Sequence, residues 1–409
     1  MKILVITEFI PMPDRQAGML RLSHFLRFLA QRHQILLYAG DAEFQCQHFG
    51  EREVKVYEDN LSRIGVRVCR GFAGELLRVL RRERFDVVLF EHYLLASKHL
   101  ALARCWQSAA RIVIDTVDVV FQRLLSKAQI TGAKEDLTEA HKIKQEELWV
   151  YGKADVIIAI SHADKAILHR ENERLDVEVI PLINHVPQLA EKRITNGCAL
   201  IFVGNFEHSA NSDAIMYFCR EVMPLVKRAI PDVRLRIIGN SPTAAIEDLA
   251  DAEVEVLGYV PDIAPFYLSS DICIAPLTWG GGLKGKIAES MAQGLPVVTT
   301  SVGIEGFGLT HGENVLVGDT PATFAEAVIG LHASDGLYQA IRSNAWNYVN
   351  DNYSEQAAVG KVLSFFDRLA RTSVKTMPLT QTLPMKAVVF RQEAKVFMER
   401  HVLWRFKQH

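Results

Sequence analysis

Two lysines and a glutamate follow a run of glycines in residues 279–298. Glycine lets the backbone approach a ligand closely, and the unpaired N–H groups at the start of the next predicted helix attract an anion. Lys284 and Lys286 add full positive charge, and Glu289 lies three residues after Lys286 on the same predicted helix face. A cation that can bind phosphate beside a carboxylate that can bind sugar hydroxyls indicates a site for a nucleotide to which another group is attached through a diphosphate.

The same glycines also fit a different motif. Gly280, Gly282 and Gly285 match the pattern G-x-G-x-x-G, and Glu305 follows about twenty residues later, as in a dinucleotide-binding turn. That turn normally follows the first strand of its domain, whereas these glycines follow the fourth predicted strand. We therefore favour the diphosphate site and keep an NAD-dependent oxidoreductase as an alternative. A plain surface loop is disfavoured by the well-formed flanking elements.

Composition narrows the class of protein. The chain has 409 residues and 49% of them are apolar, which is enough for two domains with separate cores. The 46 basic and 48 acidic residues nearly cancel, so net charge does not indicate nucleic-acid binding. The six cysteines are scattered without metal-ligand spacing, which predicts free thiols in a reducing compartment. The apolar run at the N-terminus is too short for a signal peptide or a membrane span, so we expect a cytoplasmic protein.

Strand-like and helix-like segments alternate along the chain, which predicts parallel sheets with crossover helices. In the first half we predict strands at 3–7, 34–38, 86–90, 111–114, 155–160 and 177–180, and helices at 15–31 and 134–151. After a polar segment at 187–197, we predict strands at 199–203, 233–238, 254–257, 271–276 and 296–300, and helices at 209–229, from Thr320-Pro321 and from 354 to 371. A ligand is expected between the two domains, beyond the carboxyl ends of the strands.

The last residues differ in composition. Residues 386–407 predict an amphipathic helix with more basic than acidic residues. Such a helix can lie on an anionic membrane surface, here the inner face, or it can pack on the body or on another subunit. Because the apolar stripe is narrow, we favour packing or self-association.

The second half resembles the donor domain of the GT-B glycosyltransferases, specifically the large retaining family four, the glycosyl transferases group 1. Residues 286–298 are similar to the family's phosphate-binding lysine, ribose-binding glutamate and return strand. Residues 199–205 and 236–240 resemble its two glycine turns, and residues 257–262 resemble the segment whose backbone reads the base. The resemblance implies donor contacts from Gly18, Gly204, Asn205, Gly239, Tyr259, Val260, Gly281, Gly282, Leu283 and Glu289.

The first half resembles the family less specifically. Gly18, followed by Arg21, is similar to a glycine loop that approaches the donor phosphate or the acceptor. Residues 115–118, Asp-Thr-Val-Asp, resemble a stretch at the end of an inner strand, where Asp118 would contact the acceptor or the sugar. An alternative is that Asp118 is the N-cap of a helix over 119–125.

The chain departs from the family at three positions. The family's glutamate pair has seven residues between its members; Glu289 is the second, and the first falls on Gly281. Asn205 replaces a basic residue after the first glycine turn, so Lys284 would take over that phosphate contact. Val120 replaces a histidine that is common in this branch. A catalytic histidine is therefore unassigned. His92, His162 and His208 are candidates, but for each we favour the role of an ordinary surface or cap residue.

The resemblance implies two Rossmann-like, doubly wound parallel-sheet α/β domains that face each other across a cleft, plus a C-terminal helical tail. The boundaries we predict are 1–188 for the acceptor domain, 197–353 for the donor domain, 354–371 for a C-terminal crossover helix and 372–409 for the basic amphipathic tail.

The implied activity is transfer of a sugar from a nucleoside diphosphate sugar to a saccharide or lipid-linked acceptor, with retention of configuration, in polysaccharide biosynthesis. Lys286, Lys284 and Asp118 would be the catalytic residues. The sequence has no D-x-D motif, so we expect neither a metal nor another cofactor. The residues at Gly281 and Val120 keep open a protein that binds a nucleotide sugar without turning it over.

Overall fold

The structure is a computed structural model that describes residues 1–15, 17–72, 74–191 and 197–371. The predicted tail at 372–409, with its helix over 386–407, lies outside these residues. Within the described ranges the chain forms two parallel sheets, as the alternating pattern predicted. No helix in the same ranges is both long and apolar enough to cross a membrane.

The first sheet contains seven described strands. In chain order they are β1 (Lys2–Thr7), β2 (Gln34–Ala39), β3 (Val66–Arg70), β4 (Val87–Glu91), β5 (Arg111–Asp115), β6 (Val156–Ala159) and β7 (Val177–Val179). Their order in the sheet is β3-β2-β1-β4-β5-β6-β7, and all neighbours are parallel. Ile3 and Val5 face one apolar core, while Leu4 and Ile6 face the other. Both faces are therefore buried, which explains the continuous apolar run of β1.

Helices cover both faces of this sheet. They are α1 (Ala17–Ala30), α2 (Ala42–Phe49), α3 (Glu51–Arg63), α4 (Glu75–Arg82), α5 (Tyr93–Trp106), α6 (Val120–Thr131), α7 (Lys134–Tyr151) and α8 (His162–Glu171). The predicted helix at 134–151 is confirmed as α7. The edge strand β3 was not predicted, because only its alternate residues are apolar and it pairs on one side alone.

The second sheet contains six described strands. They are β8 (Ala199–Val203), β9 (Arg234–Ile238), β10 (Val254–Gly258), β11 (Ile272–Ala275), β12 (Val297–Thr299) and β13 (Leu316–Val317). Their order is β10-β9-β8-β11-β12-β13, again with parallel neighbours. The short β13 was not predicted.

The second half contains more helices than were predicted, and one predicted helix is interrupted. The helices are α9 (Ser209–Tyr217), a π-helical segment (Phe218–Val222), α10 (Met223–Ala229), α11 (Ala244–Glu247), α12 (Ala264–Leu268), α13 (Gly285–Ala292), α14 (Ser301–Ile304), α15 (Pro321–Ala333), α16 (Asp335–Tyr353) and α17 (Glu355–Leu369). The single helix predicted at 209–229 changes pitch at the π-helical segment, just before Pro224, the second residue of α10, which has no N–H to donate.

Helix caps confirm two predicted starts. The Thr320 hydroxyl accepts the N–H of Thr323 before Pro321 at the start of α15, and the Ser354 hydroxyl accepts the N–H of Ala357 at the start of α17. Helix α17 then returns to the first half of the chain, where Val362 and Phe366 join the core beneath β1.

A buried ion pair ties α1 to the carboxyl end of the first sheet. Asp115, the last residue of β5, binds Arg21 of α1, and the two side chains are 5% and 2% exposed. Arg21 also donates to the carbonyl oxygens of Ile180 at 2.8 Å and Pro181 at 3.2 Å. The pair thereby fixes α1 against the loops that follow β5 and β7.

Asp115→Ala is expected to lower the free energy of unfolding by about 3–5 kcal/mol, because it leaves the Arg21 charge buried without its carboxylate. The exposed pair Arg32–Asp367, at 3.2 Å, is the matched control, and Arg32→Ala should cost under about 1 kcal/mol. Urea unfolding followed by circular dichroism measures both. Equal losses in the two variants would contradict the role given to burial.

Candidate active site

The glycine loop between β11 and α13 lies against the first domain. A Cβ on Gly281 would lie 2.7 Å from the Cβ of Arg123 and 3.0 Å from its Cα, and a Cβ on Gly282 would lie 3.4 Å from the Cβ of Asp118. Gly282 also has a positive φ of 61°. The structure therefore brings together the predicted residues Gly281, Gly282 and Asp118, although they come from different domains.

Lys286 lies in the first turn of α13 with its ammonium buried. It donates a hydrogen bond to the Oδ1 of Asn211, and its Nζ lies 4.5 Å from the centre of the Phe202 ring. A Cβ on Gly204 would lie 3.1 Å from this Nζ, so the first glycine turn leaves room for the ammonium. Burial lowers the pKa of Lys286 to about 7. Within the described part of the chain no carboxylate forms a salt bridge with Lys286.

Lys284 has different surroundings. It is the N-cap residue of α13, and its Nζ lies 3.6 Å from the Oε2 of Glu305. Burial lowers its pKa, and the charges of Glu305 and Asp164 oppose that shift. Glu305, the acidic residue of the dinucleotide motif, is thus paired with Lys284. The adjacent Leu283 is buried in the apolar core.

Glu289 lies one turn after Lys286 on α13. Burial raises its pKa to about 7, against the effect of a hydrogen bond with the Tyr267 hydroxyl. None of the described basic side chains forms a salt bridge with Glu289. One helix therefore holds a half-buried amine and a half-buried carboxyl that form no salt bridge with the described residues. This arrangement can accept a ligand that has both an anion and hydroxyl groups.

The glycine turns after β8 and β9 lie in contact with each other. A Cβ on Gly239 would overlap the carbonyl oxygen of Gly204, so only glycine fits there. Asn205 accepts the N–H of Glu207 at 3.1 Å through its side chain, and its carbonyl accepts from Asn211 at 2.7 Å. Asn205 thus shapes the turn and positions the partner of Lys286.

Tyr259, in the segment after β10, contacts the first domain. Its hydroxyl donates to the Oδ2 of Asp14 at 2.5 Å, and the guanidinium carbon of Arg15 lies 3.7 Å from its ring centre. Asn240 adds a hydrogen bond to the carbonyl of Arg15 at 3.1 Å. Val260 is partly buried against the neighbouring apolar core. The prediction considered only the backbone here, whereas the Tyr259 side chain bridges the domains.

Asp118 accepts a hydrogen bond from the Nε of Arg123 at 2.8 Å, and its Oδ1 lies 3.7 Å from the Nε2 of His92. Burial alone would raise the pKa of Asp118, but His92 and Arg123 outweigh it and leave that pKa below its ordinary value. The alternative that Asp118 caps α6 is wrong, because Val119 occupies the N-cap position and no side chain caps it. The carboxylate is therefore held toward the cleft.

The loops beside Asp118 have unusual backbone conformations. His92 after β4 and Val117 after β5 have φ values of 72° and 60°, which residues other than glycine rarely adopt. A Cβ on Gly18 would lie 3.4 Å from the Cγ1 of Val117, so the predicted glycine at the start of α1 packs on the same loop. The structure thus groups Gly18, His92 and Asp118 on the first-domain side.

Two of the three candidate histidines lie at the site. His92 lies beside Asp118, and the pKa of His208 is lowered by burial and by the charge of Arg123. His162 is the exposed first residue of α8. Sequence reasoning missed Arg123 and Asn211. Asn211 could have been found from its position in the first turn of the helix that follows the first glycine turn, where a side chain lies close to a bound phosphate.

Relatives in sequence match part of the chain. Residues 197–334 match the family model described as glycosyl transferases group 1. An uncharacterized 44.6 kDa protein in the cps region of Klebsiella pneumoniae is 26% identical over 226 residues, which are 52% of this chain and 58% of that protein. A phosphatidyl-myo-inositol mannosyltransferase of Mycobacterium leprae is 28% identical over 184 residues, 41% of this chain and 48% of that protein. The chain therefore matches only about half the length of these curated relatives.

Solved structures resemble nearly the whole chain. HepE from Anabaena, in complex with UDP, superposes with a TM-score of 0.68 at 14% identity over 90% of this chain and 100% of that one. For sucrose-phosphate synthase from Thermosynechococcus elongatus the TM-score is 0.65 at 13% identity, over 90% and 99% of the chains. A glycosyltransferase from Rickettsia africae superposes with a TM-score of 0.63 at 14% identity, over 91% of this chain and 99% of that one. The chain thus has the GT-B fold, and its second domain, which supplies Lys286 and Glu289, matches the glycosyl transferases group 1.

Proposed function

We propose that this protein is a glycosyltransferase that moves a sugar from a nucleoside diphosphate sugar to a saccharide or lipid-linked acceptor. The observation behind the proposal is the pair on α13: a half-buried Lys286 without a carboxylate partner and a half-buried Glu289 without a cationic partner in the described part of the chain, both next to a glycine loop in the cleft. The match to glycosyl transferases group 1 covers this same segment, and the UDP bound in HepE supports a nucleoside diphosphate as ligand.

In this proposal Lys286 stabilises the leaving group. Negative charge grows on the β-phosphate as the glycosidic bond breaks, and a fixed ammonium beside the N–H groups of a helix start stabilises that charge without rearranging. Burial strengthens the interaction, because the surrounding medium screens it little. Lys284, already close to Glu305, would contribute less.

The donor nucleoside would be held by Glu289 and by the two glycine turns. A carboxylate accepts hydrogen bonds from the ribose hydroxyls, and Gly204 and Gly239 let the chain approach the diphosphate closely. The acceptor would lie on the first domain, near Gly18 and Asp118. Closure of the domains would exclude the water that otherwise hydrolyses the donor.

Three finer points extend the proposal. Retention of configuration, as in family four, follows the resemblance of residues 286–298. A metal-independent reaction is proposed because cations and a helix start can take the place of a divalent ion at the diphosphate. A role in polysaccharide biosynthesis is the context we propose for a saccharide acceptor.

Thermal melting with UDP, GDP, ADP, their sugar conjugates and NAD, each with and without Mg²⁺, tests the proposal. A ligand at a hundred times its dissociation constant should add about 2.7 kcal/mol of stability. We expect one nucleoside diphosphate and its sugar form to stabilise the protein with or without Mg²⁺, and Lys286→Met to lose that effect and sugar transfer. Stabilisation by NAD alone would contradict the proposal, and binding without transfer to any acceptor would indicate an inactive binder.

Glu289→Gln is expected to weaken binding of the nucleoside diphosphate about tenfold at pH 8.5, since it removes charge-assisted hydrogen bonds to the ribose. A 2′-deoxynucleotide is the matched ligand: it should bind the wild-type protein more weakly and show little further loss in the variant. Calorimetric titration of the four combinations measures the coupling. Equal loss for both ligands would refute contact between Glu289 and the 2′-hydroxyl.

The pKa of about 7 at Lys286 predicts a pH dependence. Because a bound diphosphate favours the protonated amine, affinity should be highest below pH 7 and fall by up to about tenfold per pH unit above it. Measurement in the Glu289→Gln background removes the second group that titrates near pH 7. Lys286→Arg remains charged and should flatten the decline between pH 7 and 9. If the affinity of Lys286→Arg fell with the same slope between pH 7 and 9, a group other than Lys286 would be responsible for the pH dependence.

A further inference from the structure

Arg123 brings unused hydrogen-bond donors from the first domain to the cleft. It lies in the first turn of α6, and its Nε donates to the Oδ2 of Asp118 at 2.8 Å. In the described part of the chain its two terminal nitrogens have no hydrogen-bond partner, and the side chain is 36% exposed. A guanidinium has five N–H donors in a planar fork, so four remain for a ligand.

The backbone of Arg123 explains the identity of residue 281. Gly281 does not have a positive φ, so its backbone conformation does not demand glycine. A Cβ there would instead lie 2.7 Å and 3.0 Å from the Cβ and Cα of Arg123. The glycine loop that leads into α13 can therefore touch α6 only because residue 281 has no side chain.

The start of α6 is held firmly in this position. The buried carboxylate of Glu147, on α7, accepts the N–H groups of Val120 at 3.1 Å and Phe121 at 2.9 Å, and also the Tyr151 hydroxyl at 2.7 Å. These bonds satisfy N–H groups that a helix start otherwise leaves unpaired. Arg123 therefore extends from a fixed base rather than from a free loop.

The charge of Arg123 also reaches the second domain. It contributes to the lowered pKa of His208, the residue before α9. Lys286, bound to Asn211 of α9, contributes to the same shift. Arg123 of the first domain and Lys286 of the second therefore both lie within electrostatic range of His208.

We propose that Arg123 is a donor-binding residue that contacts an oxyanion of the donor, either a diphosphate oxygen or a carboxylate on the transferred sugar. The proposal rests on the proposed function, since it assigns a further contact to the same site. A guanidinium fork suits both groups, because each presents two oxygens in one plane. Binding of the donor would then draw on both domains and favour their closure.

The test is calorimetric titration of wild type, Arg123→Gln and Arg123→Lys with UDP, UDP-glucose and UDP-glucuronate. Arg123→Gln should bind at least about tenfold more weakly, and Arg123→Lys should recover part of the loss as a point charge. Loss for all three ligands assigns the contact to the diphosphate, and loss for UDP-glucuronate alone assigns it to the sugar carboxylate. Lys127→Gln is the control, because Lys127 lies one turn later on α6 and pairs with Asp136 at 2.9 Å; it should bind as wild type does.

Gly281→Ala is an independent variant that leaves every charge in place. The added methyl should push α6 away, weaken the same ligands and add little further loss in combination with Arg123→Gln, since both act at one contact. Unchanged binding of all three ligands by a folded Arg123→Gln protein would overturn this inference alone. Failure of the wild-type protein to bind any nucleoside diphosphate would instead overturn the proposed function.

Discussion

The close approach of the glycine loop to α6 is the contact on which the site depends. Gly281 lies so near Arg123 that a side chain at this position would push the loop and α6 apart, and Gly282 lies in van der Waals contact with Asp118. The loop continues directly into α13, so the same contact sets the distance between Lys286 and the first-domain carboxylate. Because packed interiors transmit displacements, a shift at this contact would move Lys286 relative to Asp118.

Burial gives the groups on α13 their chemical character. Lys286 and Glu289 are three residues apart on one helix, yet each is partly removed from water without an opposite charge as partner among the described residues. Burial destabilises the charged form of both, and both pKa values move toward 7 from opposite directions. A ligand that offers an anion to Lys286 and hydroxyl groups to Glu289 would supply the polar partners that these groups lost with their water. For this reason the proposed function rests on this helix.

Contacts far from the glycine loop also join the two halves of the chain. Tyr259 joins Asp14 and Arg15 after β10, and α17 crosses back to complete the core beneath β1. The Arg21–Asp115 pair fixes α1, and with it Gly18, against the loop that contains Val117. The first domain is thereby shaped from within, while the second domain supplies the groups proposed to bind the donor.

The sequence alone determined most of the sheet architecture and the chemistry of residues 281–289. Strands buried on both faces must be apolar throughout, and a lysine and a glutamate three apart must share a helix face, so both features are visible in local sequence. The edge strand β3, buried on fewer sides, escaped prediction for the same reason. Only the tertiary structure decided that Asn211 binds Lys286, 75 residues away, or that Tyr259 binds Asp14, 245 residues away. It also explained Gly281. The sequence showed only that a glutamate of the family's pair is missing there, whereas the structure shows that a side chain at this position would collide with Arg123. Such contacts depend on how distant segments approach each other, and no local pattern of residues encodes that distance.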